Sequence, residues 1–130
     1  MKHNDIEHSL QVAIIQYLRF EKVFVIAIPN GGRRDVTTGA RLKKEGVVAG
    51  APDLVLILNN GEVVWVELKT PKGSQQKTQK WFEEELLKRG HKYFIWRSLD
   101  DAKAFVQERQ LSSRTSFNGC CRPPATVESA

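Results

Sequence analysis

The sequence predicts an α/β domain in which helices flank a mixed β-sheet. Three observations predict this class. Three segments carry apolar residues at helical spacing. Four short runs rich in β-branched and aromatic residues predict strands. A helical segment separates the last strand from the one before it, and a helical crossover usually links parallel strands. The predicted order is helix, three strands, helix, strand, helix.

The first helix is predicted over residues 5–20, where apolar side chains recur every three or four positions. Asn4 and Glu7 have the spacing of a capping box at its start. A strand is predicted over residues 23–28, since this run is β-branched and aromatic and is stopped by Pro29.

A basic segment follows, from Arg33 to Gly50. It contains five Lys or Arg residues against two acids. Thr38 is a candidate N-cap for a short helix that Gly46 would end. We predict a mobile basic loop containing this helix.

A β-hairpin is predicted from two apolar runs, 53–58 and 62–69, joined by Asn-Asn-Gly. A three-residue loop with a left-handed glycine would place Asp53 directly opposite Glu67. A two-residue turn would instead place Asp53 opposite Leu68. The register therefore decides whether two carboxylates meet.

The last predicted elements are a helix over 75–89, a strand over 91–97 and a helix over 99–109. Residues 1–111 are predicted to form one domain. The remainder, 112–130, has no apolar periodicity and is predicted to be a disordered tail. Its adjacent cysteines, Cys120 and Cys121, lack the spacing of a zinc site or a loop-closing disulfide.

Composition excludes several classes of protein. The chain has 130 residues, 41% of them hydrophobic and 27% charged, which is typical of a folded domain rather than a disordered chain. No apolar run approaches the ~20 residues that span a bilayer. The polar amino terminus has no apolar signal segment, so we expect a soluble, cytoplasmic protein with no membrane partner. The net charge of +5 is compatible with a polyanionic partner.

In the three-residue-loop register, Asp53, Glu67 and Lys69 point to one face of the hairpin, because strand side chains alternate. Opposed carboxylates repel, and a cation between them relieves the repulsion. Oxygen donors favour Mg²⁺ or Mn²⁺. Such an ion polarises a phosphoryl oxygen and acidifies bound water, while the lysine could orient or deprotonate that water.

Pro52-Asp53 followed by Glu67-Leu68-Lys69 resembles the PD-(D/E)xK nuclease superfamily. Four features together resemble the VRR-NUC domain of that superfamily, in the stand-alone form found in phages and bacteria. The resemblance covers roughly residues 4–106. The four features are Glu7, the segment Gly50-Ala51-Pro52-Asp53, the segment Glu67-Leu68-Lys69-Thr70 with Gly73 after it, and Gln79 just ahead of Trp81-Phe82. The resemblance implies a restriction-endonuclease-like α-β-β-β-α-β core.

The resemblance also implies the roles of individual residues. Asp53, Glu67 and the Leu68 carbonyl would hold a divalent ion, with Glu7 completing the acidic cluster directly or through water. Lys69 would be the catalytic lysine. Gln79 would support it, although the family's Ser-Pro pair before that glutamine is missing here, so Gln75 and Gln76 stay open as alternatives.

Each of these residues also has a plainer interpretation. Glu7 could be the glutamate of the capping box, Asp53 a turn residue, and Gln79 a buried amide bonded to backbone. Basic residues on both sides of the hairpin could be solvated charges or could bind DNA phosphates. They are Arg33, Arg34, Arg41, Lys43, Lys44, Lys72, Lys77 and Lys80.

The resulting hypothesis is a Mg²⁺- or Mn²⁺-dependent endodeoxyribonuclease that cuts branched DNA, with four-way Holliday junctions as the expected substrate. By resemblance, its products would carry 5′-phosphate and 3′-hydroxyl ends. Cutting a junction symmetrically requires two matched sites, so a homodimer is expected. The alternatives are a flap or restriction-like nuclease and a non-catalytic protein that binds branched or double-stranded DNA.

Overall fold

The computed structural model describes residues 3–29 and 36–116, which form four helices and four strands. The strands build one sheet in the order β1-β2-β3-β4. The first three strands are antiparallel, and β4 runs parallel to β3, so the predicted mixed α/β class is confirmed. In chain order the elements are α1 (His3–Phe20), β1 (Phe24–Ala27), α2 (Val36–Lys44), β2 (Leu54–Ile57), β3 (Val63–Leu68), α3 (Lys77–Lys88), β4 (Lys92–Trp96) and α4 (Leu99–Ser116).

The hairpin of β2 and β3 has the three-residue-loop register. Gly61 has a φ of +86°, in the left-handed region that this loop requires. Leu54 lies opposite Val66, so the next pair outward is Asp53 and Glu67. The two carboxylates therefore extend from directly opposed positions, in the first of the two registers that the sequence left open.

The apolar core lies between one face of the sheet and the pair α1 and α4. Alternation along the strands sends every second side chain to this face. The core side chains are Ile14, Leu18, Leu54, Leu56, Val64, Val66, Leu68, Trp96, Ala102, Phe105 and Val106. The third helix covers part of the opposite face, where the rings of Trp65 and Phe82 lie 6.2 Å apart. Among the helices described, none is long and apolar enough to cross a membrane.

Two predicted N-caps are wrong. Helix α1 begins at His3, so Asn4 lies inside its first turn and is not the N-cap. Helix α2 begins at Val36, so Thr38 is not a cap either. Its end is as predicted, because the Gly46 N–H bonds back to the Lys43 carbonyl at 3.1 Å, in the pattern of a helix C-cap.

Helix α4 extends to Ser116, seven residues beyond its predicted end, and so includes five residues of the predicted tail. No proline or glycine interrupts the chain before Gly119, so the helical hydrogen bonds can continue. Cys120 and Cys121 lie outside the described residues, as do Arg33 and Arg34.

Candidate active site

Asp53 and Glu67 meet at the end of the hairpin, where strand pairing sets the distance between their backbones. Asp53 Oδ2 accepts the backbone N–H of Leu68 at 2.8 Å, which holds the carboxylate against β3. Glu67 is 2% exposed. Glu67 is thus held beside Asp53 where little water can solvate it.

The two oxygens of Glu67 have different surroundings. Oε1 accepts a hydrogen bond of 3.0 Å from Gln79 Nε2. Oε2 is also buried, and no group in the described part of the chain bonds to it. Burial and, next, the adjacent Asp53 raise the pKa of Glu67 to about 9. Deprotonated Glu67 therefore needs a positive charge beside it at neutral pH.

Gln79 is held from two sides. Its Oε1 accepts the backbone N–H of Gln76 at 2.8 Å, at the start of α3, and its Nε2 donates to Glu67. Gln75 makes different contacts, since its Nε2 donates to Glu83 at 3.0 Å and to the Tyr93 hydroxyl at 3.2 Å. Of the three glutamines left open by the sequence, Gln79 is the one that contacts the carboxylate.

Lys69 follows β3 on the same face as Glu67, because the two residues are two positions apart. It is 8% exposed, and its charge opposes the rise in the pKa of Glu67. Its backbone N–H donates to the Trp96 carbonyl at 3.0 Å. This bond continues the pairing with β4 past the end of the strand and holds the lysine backbone in place.

Arg97 fixes the loop after Lys69, a role that no sequence pattern indicated. Its Nη1 donates to the carbonyls of Thr70 at 2.8 Å and Gly73 at 2.6 Å. The backbone N–H of Arg97 is bonded in turn to Asp101 Oδ2 at 2.7 Å, at the start of α4. The contact joins residues more than twenty positions apart in the chain, so only the tertiary structure reveals it.

Glu7 does not join Asp53 and Glu67 in a direct three-carboxylate group. The described residues contain no cluster of three or more His, Cys, Asp or Glu side chains arranged to hold a metal ion. Glu7 is half-buried on α1, and its charge contributes to raising the pKa of Glu67. Register sets the spacing of Asp53 and Glu67, whereas Glu7 is placed by the packing of its helix. A link through water stays a prediction.

The donor set fits a hard divalent cation. Glu67 Oε2 is a buried oxygen without a hydrogen-bond donor in the described chain, and the repulsion between Asp53 and Glu67 is the kind that a cation relieves. The residues that would hold the ion are Asp53, Glu67 and the carbonyl of Leu68. Carboxylate and carbonyl oxygens suit Mg²⁺ or Mn²⁺.

A cleft of about 510 Å³ opens onto these carboxylates. One wall comes from α2 and the loop after it, including Leu42, Lys43 and Val48. The other wall is the first turn of α3, with Gln79. The cleft thus lies between the basic segment around α2 and the start of α3, which carries Lys77 and Lys80.

The basic residues around this cleft are not equivalent. Lys43 lines it. Arg41 pairs with Glu45 at 3.0 Å on the exposed side of α2, which offsets part of its charge. The other predicted phosphate-binding residues in the described chain are exposed: Lys44, Lys72, Lys77 and Lys80.

Tyr93 is a further residue near the site that the sequence did not indicate. It lies on β4, and burial and then the charge of Glu67 raise the pKa of its hydroxyl. The hydroxyl accepts the hydrogen bond from Gln75. Parallel pairing of Tyr93 with Trp65 brings this ring to the face that carries Glu67, and that pairing is not visible in the sequence of β4 alone.

Among the solved structures that share this fold are two VRR_NUC proteins. One, described as a VRR_NUC domain, has a TM-score of 0.58 and 22% identity over 78% of this chain and 95% of its own. The other, a VRR_NUC domain protein, has a TM-score of 0.63 and 20% identity over 79% of this chain and 86% of its own. No family model and no curated protein matches the sequence. The fold predicted from the PD-(D/E)xK resemblance is therefore the fold observed.

Proposed function

We propose that this chain is a VRR-NUC nuclease of the PD-(D/E)xK superfamily, an endodeoxyribonuclease that depends on Mg²⁺ or Mn²⁺. One observation carries the proposal. Asp53 and Glu67 are held face to face beside Lys69, with one glutamate oxygen buried and without a donor in the described residues. The fold shared with VRR_NUC domain structures supports the same conclusion.

The proposed chemistry is phosphodiester hydrolysis. Bound to Asp53, Glu67 and the Leu68 carbonyl, a divalent cation would polarise the scissile phosphate. Lys69 would orient the attacking water, and its ammonium would offset the negative charge that develops on the phosphate. Gln79 would hold Glu67 in the orientation that binding requires, since its own amide is fixed at the start of α3.

The DNA backbone would lie along the cleft between α2 and α3. Lys43 lines this cleft, and the exposed lysines on the α3 side flank it. Contacts of this kind bind phosphates without reading base sequence. We therefore propose that the shape of the DNA, rather than its sequence, selects the substrate.

The proposed substrate is branched DNA, with four-way junctions as the preferred form, cut by a homodimer. A twofold-symmetric pair of chains would present two matched sites to two strands of equal geometry. This step follows from the symmetry of the substrate and from the resemblance to stand-alone VRR-NUC proteins.

The deciding experiment is cleavage of matched four-way, flap, splayed-arm and linear duplex DNA with Mg²⁺, Mn²⁺ or EDTA. The solution mass is measured in parallel by light scattering. We expect metal-dependent cutting, fastest on the four-way junction, from a dimer. Faster cutting of the flap would make the flap, and not the four-way junction, the preferred substrate. A monomeric mass in solution would contradict symmetric cutting by a homodimer. Binding without cutting on any substrate would leave a DNA-binding protein on a nuclease fold.

A further inference from the structure

The backbone of Gly50 lies directly against the first turn of α3. A Cβ atom at this position would lie 2.3 Å from the Thr78 carbonyl oxygen and 2.9 Å from the Gln79 amide nitrogen. Both distances are shorter than any real Cβ contact, and both neighbours are backbone atoms that cannot rotate away. Gly50 also has a φ of +90°, in the left-handed region where side chains are strained.

This contact joins two segments that build the candidate site. Gly50 precedes Asp53 by three residues, on the loop that leads into β2. The peptide it touches belongs to the turn that carries Gln79, whose Nε2 is 3.0 Å from Glu67 Oε1. An outward movement of this turn by one ångström would lengthen that bond beyond hydrogen-bond distance.

We propose that Gly50 is a positioning residue that sets the hydrogen bond between Gln79 and Glu67 by allowing α3 to approach the Asp53 loop. Any side chain at position 50 would push the start of α3 away from the loop. The amide of Gln79 would move with the helix, because its Oε1 is bonded to the Gln76 N–H. The inference deepens the proposed function, on which its catalytic consequence rests.

The test compares Gly50→Ala with Gly90→Ala. Gly90 has a φ of +81°, but a Cβ there would meet no atom within 4 Å, and it follows the other end of α3. Both variants carry similar backbone strain, so their difference isolates the contact with Thr78 and Gln79. The first readout is the side-chain amide signals of Gln79 in ¹H–¹⁵N NMR spectra of the metal-free, DNA-free protein at one pH.

We expect Gly50→Ala to shift the Gln79 side-chain signals toward those of a free amide, and Gly90→Ala to leave them unchanged. In Mg²⁺-dependent cleavage, kcat should fall roughly 10-fold to 100-fold for Gly50→Ala, the range typical of groups that support a metal ligand, with KM unchanged. In a Gln79→Met background the same glycine change should add little, because both act on one hydrogen bond.

Unshifted Gln79 signals in folded Gly50→Ala would overturn the proposal. If Gly50→Ala does not fold, the contact is tested in the wild-type protein instead. Nuclear Overhauser effects between the Gly50 α protons and the Gln79 backbone amide proton are then expected. Their absence would refute the contact. A wild-type protein that cuts no DNA would refute the proposed function, while the NMR result would still test the positioning role.

Discussion

Strand β3 presents two buried faces, and burial has opposite consequences on them. Val64 and Val66 are fully excluded from solvent against α1 and α4, whereas Glu67 and Lys69 are 2% and 8% exposed on the opposite face. Removing a valine side chain from water stabilises the fold by about 1.5–3 kcal/mol. Removing a carboxylate from water disfavours its charged form, and here it raises the pKa of Glu67 to about 9.

The comparison shows how one strand supports both stability and chemistry. Alternation sends even-numbered residues of β3 to the apolar core and odd-numbered residues to the opposite face, which carries the site at the end of the strand. The core face can therefore hold the strand rigidly. The other face holds Asp53 and Glu67, whose repulsion Lys69 only partly offsets. Changes on the two faces should separate activity from stability.

The largest expected effect is on cleavage by Glu67→Gln. The variant should lose roughly 100-fold or more in kcat/KM, beyond the loss typical of groups that only support a ligand, because a ligand itself is removed. Its melting temperature at pH 8 should equal or exceed that of the wild type, since a neutral glutamine can be buried without the proton that Glu67 must take up on folding. The control is Glu84→Gln on the exposed side of α3. An unfolded Glu67→Gln protein would instead indicate a structural role.

On the core face, Leu56→Ala should lower the free energy of unfolding by about 2–5 kcal/mol, because it leaves a cavity in the packed core. Leu56 is fully buried, whereas the next residue, Ile57, is 39% exposed and points to the other face. Ile57→Ala is the matched control and should cost less than half as much in urea unfolding. Equal losses would contradict the assignment of the two faces.

The pH dependence of the free energy of unfolding should reflect the titration of Glu67. Its folded-state pKa of about 9 lies above the ordinary value of 4.5, so the folded protein binds an extra proton between these values. Stability should consequently fall as the pH rises from about 4.5 to about 9. The Glu62 carboxyl, which bonds to Lys92, has a lowered pKa and acts in the opposite sense, losing stability as the pH falls below 4.5.

The difference in melting temperature between the wild type and Glu67→Gln, measured across this pH range, isolates the contribution of Glu67, since the other titrating groups are the same in both proteins. The melting temperature of the wild type should fall relative to that of Glu67→Gln as the pH rises. Parallel curves would show that Glu67 titrates normally.

Divalent ions should reverse this loss. A ligand that binds only the folded state at 100 times its Kd adds about 2.7 kcal/mol of stability. We expect Mg²⁺ or Mn²⁺ to raise the wild-type melting temperature at pH 8 and to leave that of Glu67→Gln unchanged. The measurement needs no DNA and no activity. An equal rise in both proteins would place ion binding elsewhere.

The smallest expected effect is on DNA binding by Lys43→Ala. Removing one phosphate contact should reduce the slope of log K against log salt by about 0.9. Lys103→Ala on α4, on the core-facing side of the sheet, is the control and should leave the slope unchanged. Equal slopes for Lys43→Ala and the wild type would remove Lys43 from the proposed interface.

Most of the fold could be predicted because its signals are local. Strand alternation and the Asn-Asn-Gly turn left two hairpin registers open, and the structure has the one that opposes Asp53 and Glu67. Helix boundaries were less accurate, because Asn4 and Thr38 can each act as a cap or as an ordinary first-turn residue. The choice depends on how the helix docks, not on the residue.

The candidate site, too, was predictable only where its signals are local in the sequence. The sequence by itself determined that Glu67 and Lys69 share one face of a strand, and that Asp53 joins them in one of two hairpin registers, because period-two alternation and turn geometry act over a few residues. Only the tertiary structure decided that Gln79 contacts Glu67, that the charge of Glu7 acts on Glu67, and that Gly50 lies against α3. These depend on how helices pack on the sheet, and that packing joins residues far apart in the chain.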